Sequence, residues 1–96
     1  MDMSDPFKGL VTRKMTLEEL ARAIRQDIAA ELDAINLYQA HIDATDNEPA
    51  KKILAHVRDD EKEHVAEFME LLRILDPGQA EKLDLAPAEI KKALSE

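Results

Sequence analysis

Glu61 and His64 are the residues whose types and spacing most directly suggest chemistry. They form a Glu-x-x-His step, and side chains three residues apart on a helix point the same way. Both continue a helical stripe of apolar residues: Leu54, Val57, Phe68, Leu71 and Leu75. Burying a lone carboxylate is costly unless it is paired or binds a cation. The step therefore predicts either a solvated helix face or one helix's share of a metal site.

A second carboxylate interrupts a second apolar stripe. Glu31 lies between Ile28 and Ile35 in a series that also contains Leu20, Ile24, Tyr38 and Ile42. Residues 46–49, with their proline, predict a short turn that folds the second helix back antiparallel on the first. Both helices rise by ~1.5 Å per residue, so Glu31 should lie level with Glu61 and His64. This coincidence favours the metal site over the solvated face.

The elements that must position these residues are all helical. Residues 1–15 are predicted to form an irregular N-terminal arm. Thr16 and Glu19 form a capping box, so the first helix is predicted over residues 16–45 and the second over 48–75. Residues 76–96 are predicted to form a tail with a short helix that begins at Pro87. The sequence thus predicts one all-α domain over residues 1–96, an antiparallel two-helix hairpin (16–75) plus a short C-terminal helix.

Composition excludes several classes of function. The 96 residues include no cysteine, which excludes thiolate zinc sites, iron–sulfur clusters and cysteine nucleophiles within them. The net charge is −8 with acidic residues spread along the chain, so no nucleic-acid partner is expected. No apolar run approaches the ~20 residues that span a bilayer, so no membrane partner is expected. The first six residues do not resemble a secretory signal, and a cytoplasmic protein is expected.

One hairpin cannot enclose its own apolar stripes, so a homo-oligomer is expected. Two hairpins related by a two-fold axis would form a ferritin-like four-helix bundle across a dimer interface. The ligand set would then double to four carboxylates and two imidazoles, the set expected of a di-metal site. Two divalent cations would cancel the charge of about −4 on four carboxylates. Oxygen and imidazole donors without sulfur suit iron, manganese or zinc.

Residues 31–38 and 53–64 resemble the encapsulated ferritins, and the charged run over 58–64 is more specific than a bare Glu-x-x-His. The resemblance implies a di-iron ferroxidase site, with two iron ions per dimer shared between subunits. It also implies an annular homodecamer that oxidises Fe(II) with dioxygen for iron storage or detoxification. Storage would depend on an encapsulin shell, which would place the chain inside an encapsulin nanocompartment.

By position in this resemblance, the iron ligands and catalytic residues would be Glu31, Glu61 and His64. Tyr38 would lie beside the site, and Asp33 would line the iron entry path. Ala30 stands where the family has a second entry carboxylate, and Leu37 replaces a tryptophan. His41 and His56 are expected to be exposed or hydrogen-bonded structural residues. A solvated face or contacts between dimers are expected for three acidic residues: Asp59, Asp60 and Glu63.

The printed sequence ends in residues 91–96 without a Gly/Ser-Leu cargo-type tail. A shell protein would therefore recognise the chain in another way, or the chain would work without a shell. Two further hypotheses stay open: a non-catalytic helical dimer that binds a structural divalent metal, and a metal-free helical interaction protein. Glu31→Ala separates the three. A ferroxidase would lose oxidation, a structural metal dimer would lose metal-linked stability, and an interaction protein would lose neither.

Overall fold

The computed structural model describes residues 13–96, which form three helices and no strand. Helix α1 spans Leu17–Asp43, α2 spans Glu48–Leu75 and α3 spans Pro77–Ser95. Helices α1 and α2 pack against each other as the predicted hairpin, so the all-α prediction is confirmed. Residues 1–12, most of the predicted N-terminal arm, lie outside the described residues. No helix in the described range is long and apolar enough to cross a membrane.

The start of α1 is the predicted capping box. The Glu19 amide donates to Thr16 Oγ1 at 3.1 Å, and the Thr16 amide donates to Glu19 Oε1 at 3.1 Å. Arg13 adds two hydrogen bonds of 2.8 Å to the same carboxylate. The Arg13 guanidinium, together with the donors of Thr16, lowers the pKa of Glu19 to about 2. The helix ends at Asp43, two residues before the predicted Thr45.

The turn between α1 and α2 is closed by local side-chain hydrogen bonds. Asn47 is the N-cap of α2, and its Oδ1 accepts from the Ala50 amide at 2.9 Å. Thr45 Oγ1 accepts from the Asn47 amide at 3.2 Å. Pro49 occupies the first turn of α2, where its missing N–H costs nothing. A connection this short brings α2 back along α1.

Helix α3 is longer than the sequence predicts. The Asp76-Pro77-Gly78 segment was expected only to end α2, with a short helix beginning at Pro87. Instead, Asp76 Oδ1 accepts from the Gln79 amide at 3.1 Å and caps a helix that starts at Pro77. An Asp-Pro pair satisfies the N-cap and first-turn preferences of a new helix as well as it ends the old one. Pro87 lies inside α3, which has no buried residue, so water can replace the lost helical hydrogen bond.

Two arginines tie α3 to the hairpin. Arg25 on α1 pairs with Asp76, and Arg73 on α2 pairs with Asp84 at 2.7 Å. The backbone N–H of Gln79 holds the pKa of Asp76 below its ordinary value, and Arg25 adds to this effect. Asp76 therefore ends α2 through its backbone N–H, which donates to the Leu72 carbonyl, while its carboxylate caps α3 and contacts α1.

The buried core lies at the end of the hairpin far from the turn. It contains four residues, Ala21, Ile24, Ile28 and Leu72. The side chains packed against it are Leu20, Val65, Phe68, Met69 and Leu75. On α2 the most buried residue is Leu72, at 2% exposure, whereas Leu71 of the predicted stripe is 36% exposed. Phe68 and Leu75 of the predicted stripe pack against the core, and Leu72 takes the place predicted for Leu71.

We expect Leu72→Ala to destabilise the fold by about 2–5 kcal/mol, because it leaves a cavity in the centre of this core. The same change at Leu94, which is 82% exposed, should cost less than about 0.5 kcal/mol. Urea denaturation followed by circular dichroism measures both. Equal losses in the two variants would contradict the core described above.

The capping box should make stability depend on pH. The folded pKa of Glu19 lies below the value of ~4.3 for an unfolded glutamate, so its ionised form stabilises the fold above that pH. This contribution is lost as the pH falls from ~4.3 through about 2. Glu19→Gln should therefore lower the urea midpoint at pH 7, and the difference from wild type should shrink towards pH 2.

Glu18→Gln is the matched control for Glu19→Gln. Glu18 lies in the same first turn, but it makes a single exposed ion pair, with Arg22 at 3.0 Å. Its removal should change the urea midpoint less at pH 7. A pH profile of Glu19→Gln that runs parallel to wild type would contradict the assignment.

Candidate metal centre

Glu31, Glu61 and His64 meet at one height of the hairpin. Each offers one ligand atom, and these atoms all lie within 4.8 Å of one another. His64 Nδ1 is 3.4 Å from Glu61 Oε2 and 3.6 Å from Glu31 Oε2. We call these three residues the Glu–Glu–His cluster. The structure thus brings together all three residues that the sequence proposed as metal ligands.

Local helix geometry explains how each side chain reaches the cluster. On α1, Glu31 is one turn after the buried Ile28 and one turn before the half-buried Ile35. On α2, Glu61 and His64 are three residues apart and therefore share a face. The antiparallel packing of α1 on α2 supplies the rest, because only tertiary structure can bring residue 31 beside residues 61 and 64.

The two carboxylates of the cluster are largely removed from water. The side chains of Glu31 and Glu61 are 23% and 17% exposed, whereas that of His64 is 50% exposed. Glu31 Oε2 is buried and has no hydrogen-bond partner. Its neighbour His64 Nδ1, at 3.6 Å, lies beyond hydrogen-bond distance. A buried carboxylate oxygen without a donor is costly, and a cation would offset that cost.

The donor set fits a divalent transition metal. Two carboxylates and one imidazole are ligands that iron, manganese and zinc all accept. Three donors from one chain leave further coordination positions for other ligands, and the half-exposed His64 lies on the open side. The cluster therefore fits the metal predicted from the sequence, on the grounds of donor chemistry and the unpartnered Glu31 oxygen.

Tyr38 and Asp33 lie outside the cluster. Tyr38 is half-buried and follows Glu31 by seven residues, which puts it on the same face of α1 two turns away. Asp33 is exposed and follows Glu31 by two residues, ~200° around the helix. The structure does not bring Asp33 towards the ligands of its own chain. The proposed roles of both residues stay predictions.

The other histidines and acidic residues of the motif lie at the surface, as expected. His41 and Glu63 are exposed. His56 Nε2 lies 3.6 Å from Asp60 Oδ2, and both side chains are more than half exposed. None of them joins the Glu–Glu–His cluster.

One polar contact between α1 and α2 was not predicted from the sequence. Arg58 Nη1 donates to Gln39 Oε1 at 2.6 Å, and the Arg58 side chain is only 21% exposed. Arg58 precedes Glu61 by three residues and so shares its face of α2. That spacing was the available signal, but no feature of the sequence identified Gln39 as the partner.

Comparisons with known proteins identify the family. A protein-family model described as EncFtn-like matches residues 9–86. An encapsulin nanocompartment cargo protein of Myxococcus xanthus is 66% identical over 80 residues, which are 83% of this chain and 62% of that protein. A ferritin-like–encapsulin shell fusion protein of Pyrococcus furiosus is 47% identical over 77 residues, which are 80% of this chain and 22% of the fusion. The chain thus spans only part of the length of both relatives.

A solved structure is similar over nearly the whole chain. The crystal structure of the encapsulated ferritin domain from Pyrococcus furiosus matches with a TM-score of 0.80 and 44% sequence identity. The match covers 88% of this chain and 89% of that one. The ferritin-like helical fold predicted from the sequence is therefore confirmed.

We expect Glu31→Gln to stabilise the metal-free protein by about 1 kcal/mol, because it removes a buried charge whose oxygen has no donor. Zinc should raise the melting temperature of the wild type by mass action and leave that of the variant unchanged. Glu63→Gln makes the same charge change at an exposed site of α2 and serves as control. A zinc response retained in Glu31→Gln would contradict a ligand role for Glu31.

Proposed function

Since the chain belongs to the EncFtn-like family, we propose that it is a ferroxidase that oxidises Fe(II) to Fe(III) with dioxygen. The reaction takes place at a di-iron site shared by two copies of the chain. The observation that carries this proposal is the Glu–Glu–His cluster, whose ligand atoms lie within 4.8 Å of one another. Its buried and unpartnered Glu31 oxygen supports a site built for a cation.

The number of metal-ligand donors in one chain supports a site shared by two copies. One chain supplies two carboxylates and one imidazole. A second copy, related by a two-fold axis, doubles this to four carboxylates and two imidazoles, the ligand set of ferritin-like di-iron bundles. The exposed apolar side chains of the hairpin support such pairing, because a single chain leaves them in water: Leu32, Leu37, Ile53 and Leu71.

Charge balance favours two divalent ions. Four carboxylates brought together carry about −4, and at an effective dielectric near 20 each close pair repels by a few kcal/mol. Two Fe(II) ions cancel this charge, so iron and the dimer stabilise each other. Anionic ligands stabilise the higher charge of Fe(III) more than that of Fe(II), which makes oxidation more favourable.

Fe(II) is the substrate, and two Fe(II) ions together supply the two electrons that dioxygen takes up. The chain's own residues bind and orient. Glu31 and Glu61 hold the cations from two different helices, so the distance between α1 and α2 sets the size of the site. His64 contributes the imidazole donor of each chain, beside Glu61 on α2. From the family resemblance, Tyr38 would lie beside the site and Asp33 would line the iron entry path.

The proposed partner of this chain is taken from the names of its relatives. Because those from Myxococcus xanthus and Pyrococcus furiosus are named as an encapsulin cargo protein and an encapsulin fusion, this chain associates with an encapsulin shell in our proposal. It would work inside that nanocompartment as an annular decamer built from dimers. The oxidised iron would be stored in the shell, for iron storage or detoxification.

A structural metal dimer is the second candidate function. Two carboxylates and an imidazole are also common zinc ligands, so the same cluster could hold a metal that only joins two chains. The two functions differ in dioxygen chemistry and agree in metal-linked assembly.

The test adds Fe(II) to the wild type without oxygen and then admits air. We expect binding of about one iron per chain, oxidation faster than in protein-free buffer, and an assembly mass that grows with iron. Near-ultraviolet absorbance follows Fe(III), and native mass spectrometry follows the assembly. Glu61→Gln should slow oxidation more than about tenfold, because a ligand is lost.

Glu63→Gln, exposed on α2 outside the cluster, should oxidise iron at the wild-type rate. Oxidation at the protein-free rate, from an assembly that ignores iron, would rule out the ferroxidase. Metal-dependent assembly without oxidation would favour the structural metal dimer.

A further inference from the structure

The core and the Glu–Glu–His cluster divide the hairpin into two unlike halves. The four buried residues all lie on the side of the cluster far from the turn: Ala21, Ile24, Ile28 and Leu72. From residue 32 to residue 60, which includes the turn, no described residue is buried. Fully buried apolar packing therefore holds α2 against α1 on one side of the cluster, whereas on the turn side the apolar residues of the seam, such as Ile35, Leu54 and Val57, are only half-buried.

The opposite half contains a polar contact in place of a core. Between the cluster and the turn, the hydrogen bond from Arg58 to Gln39 is the one side-chain hydrogen bond that joins α1 to α2 among the described residues. Gln39 and Arg58 each make one further side-chain hydrogen bond. Gln39 Nε2 donates to Asp43 Oδ1 at 3.0 Å, and Arg58 Nε donates to Asp59 Oδ1 at 3.1 Å.

The position of this contact matches the register of the cluster. Gln39 lies eight residues beyond Glu31 towards the turn, ~12 Å along α1. Arg58 lies six residues before His64 in the same direction, ~9 Å along α2. Arg58 lies only three residues, ~4.5 Å, from Glu61, so the arginine side chain must span ~3–7.5 Å along the helix axis to reach Gln39. One register of the two helices therefore satisfies both the cluster and the hydrogen bond.

Register matters because the cluster tolerates little error. A slip of one residue moves a helix by ~1.5 Å and turns its side chains by ~100°. The His64 Nδ1 contacts of 3.4 and 3.6 Å would not survive such a step. Half-exposed apolar side chains resist rotation weakly, whereas a charge-assisted hydrogen bond has a defined direction.

We propose that Arg58 and Gln39 are a positioning pair, whose hydrogen bond sets the register of α2 against α1 on the turn side of the Glu–Glu–His cluster. Neither residue touches the metal; they act by holding Glu31 level with Glu61 and His64. The inference rests on the proposed metal-binding function of the cluster.

Cobalt(II) is the probe for the test, because its visible absorption reports both occupancy and ligand geometry without dioxygen. Gln39→Leu keeps the helix and the approximate side-chain size but removes the acceptor. We expect it to weaken Co(II) binding about tenfold and to change the absorption spectrum. Gln39→Glu keeps an oxygen for Arg58 and should bind within about twofold of wild type. Gln26→Leu, at an exposed position of α1, is the matched control and should change neither.

A double-mutant cycle tests whether the two residues act together. Arg58→Met should weaken Co(II) binding as Gln39→Leu does, and the double variant should bind no more weakly than either single variant. Unchanged Co(II) affinity in Gln39→Leu, with only a lower melting temperature, would overturn the proposal in favour of a merely stabilising contact. Equal losses in Gln39→Glu and Gln39→Leu would overturn it as well.

A metal-free measurement keeps this proposal distinct from the proposed function. The sequence has no cysteine, so Asn36→Cys with Lys52→Cys places one spin label on each helix, and dilution with unlabelled protein isolates distances within one chain. Gln39→Leu should broaden or shift that distance, and an unchanged distance would overturn the register proposal. Failure of the wild type to bind Co(II) would instead overturn the proposed function, and the label distances would then decide the register proposal alone.

Discussion

The constraint that the rest of this structure accommodates is a carboxylate placed in the seam between two helices. Glu31 Oε2 is buried without a donor, although the same chain supplies hydrogen-bond partners to the carboxylates of Glu19 and Asp76. A protein that needed only a stable hairpin would place an apolar residue at that position, between Ile28 and Ile35. Long helices, a short turn and a fixed register all serve to bring a second carboxylate and an imidazole to the same point.

The chain divides its stabilising interactions between two ends. Apolar packing around Leu72 holds the end far from the turn, where Arg25 also reaches Asp76. The other end depends on the turn caps and on the contact between Arg58 and Gln39. This leaves a large share of the apolar surface of one chain in water. A second copy could cover that surface and complete the ligand set at once, so assembly and metal binding would be coupled.

A local sequence signal can be compatible with more than one structure, as Asp76 shows. Its non-helical backbone ends α2, with the N–H donating to the Leu72 carbonyl, while its carboxylate accepts from the Gln79 amide and caps α3. From the sequence, Asp76 is expected only to end α2, and the predicted third helix is therefore too short. Pro87 is expected to begin a helix, because a proline in a helix interior is unfavourable unless the freed carbonyl faces water.

The sequence by itself determined the first two helices, the capping box of α1, the turn and the three residues of the cluster. Those features depend on neighbours within a few residues, such as Thr16 with Glu19 or Glu61 with His64, and on two stripes that rise equally from one turn. Tertiary structure decided which stripe residue is buried, Leu72 and not Leu71, and which residue Arg58 contacts. These outcomes depend on how far each helix is rotated about its own axis, and that rotation is fixed by packing between residues distant in the chain.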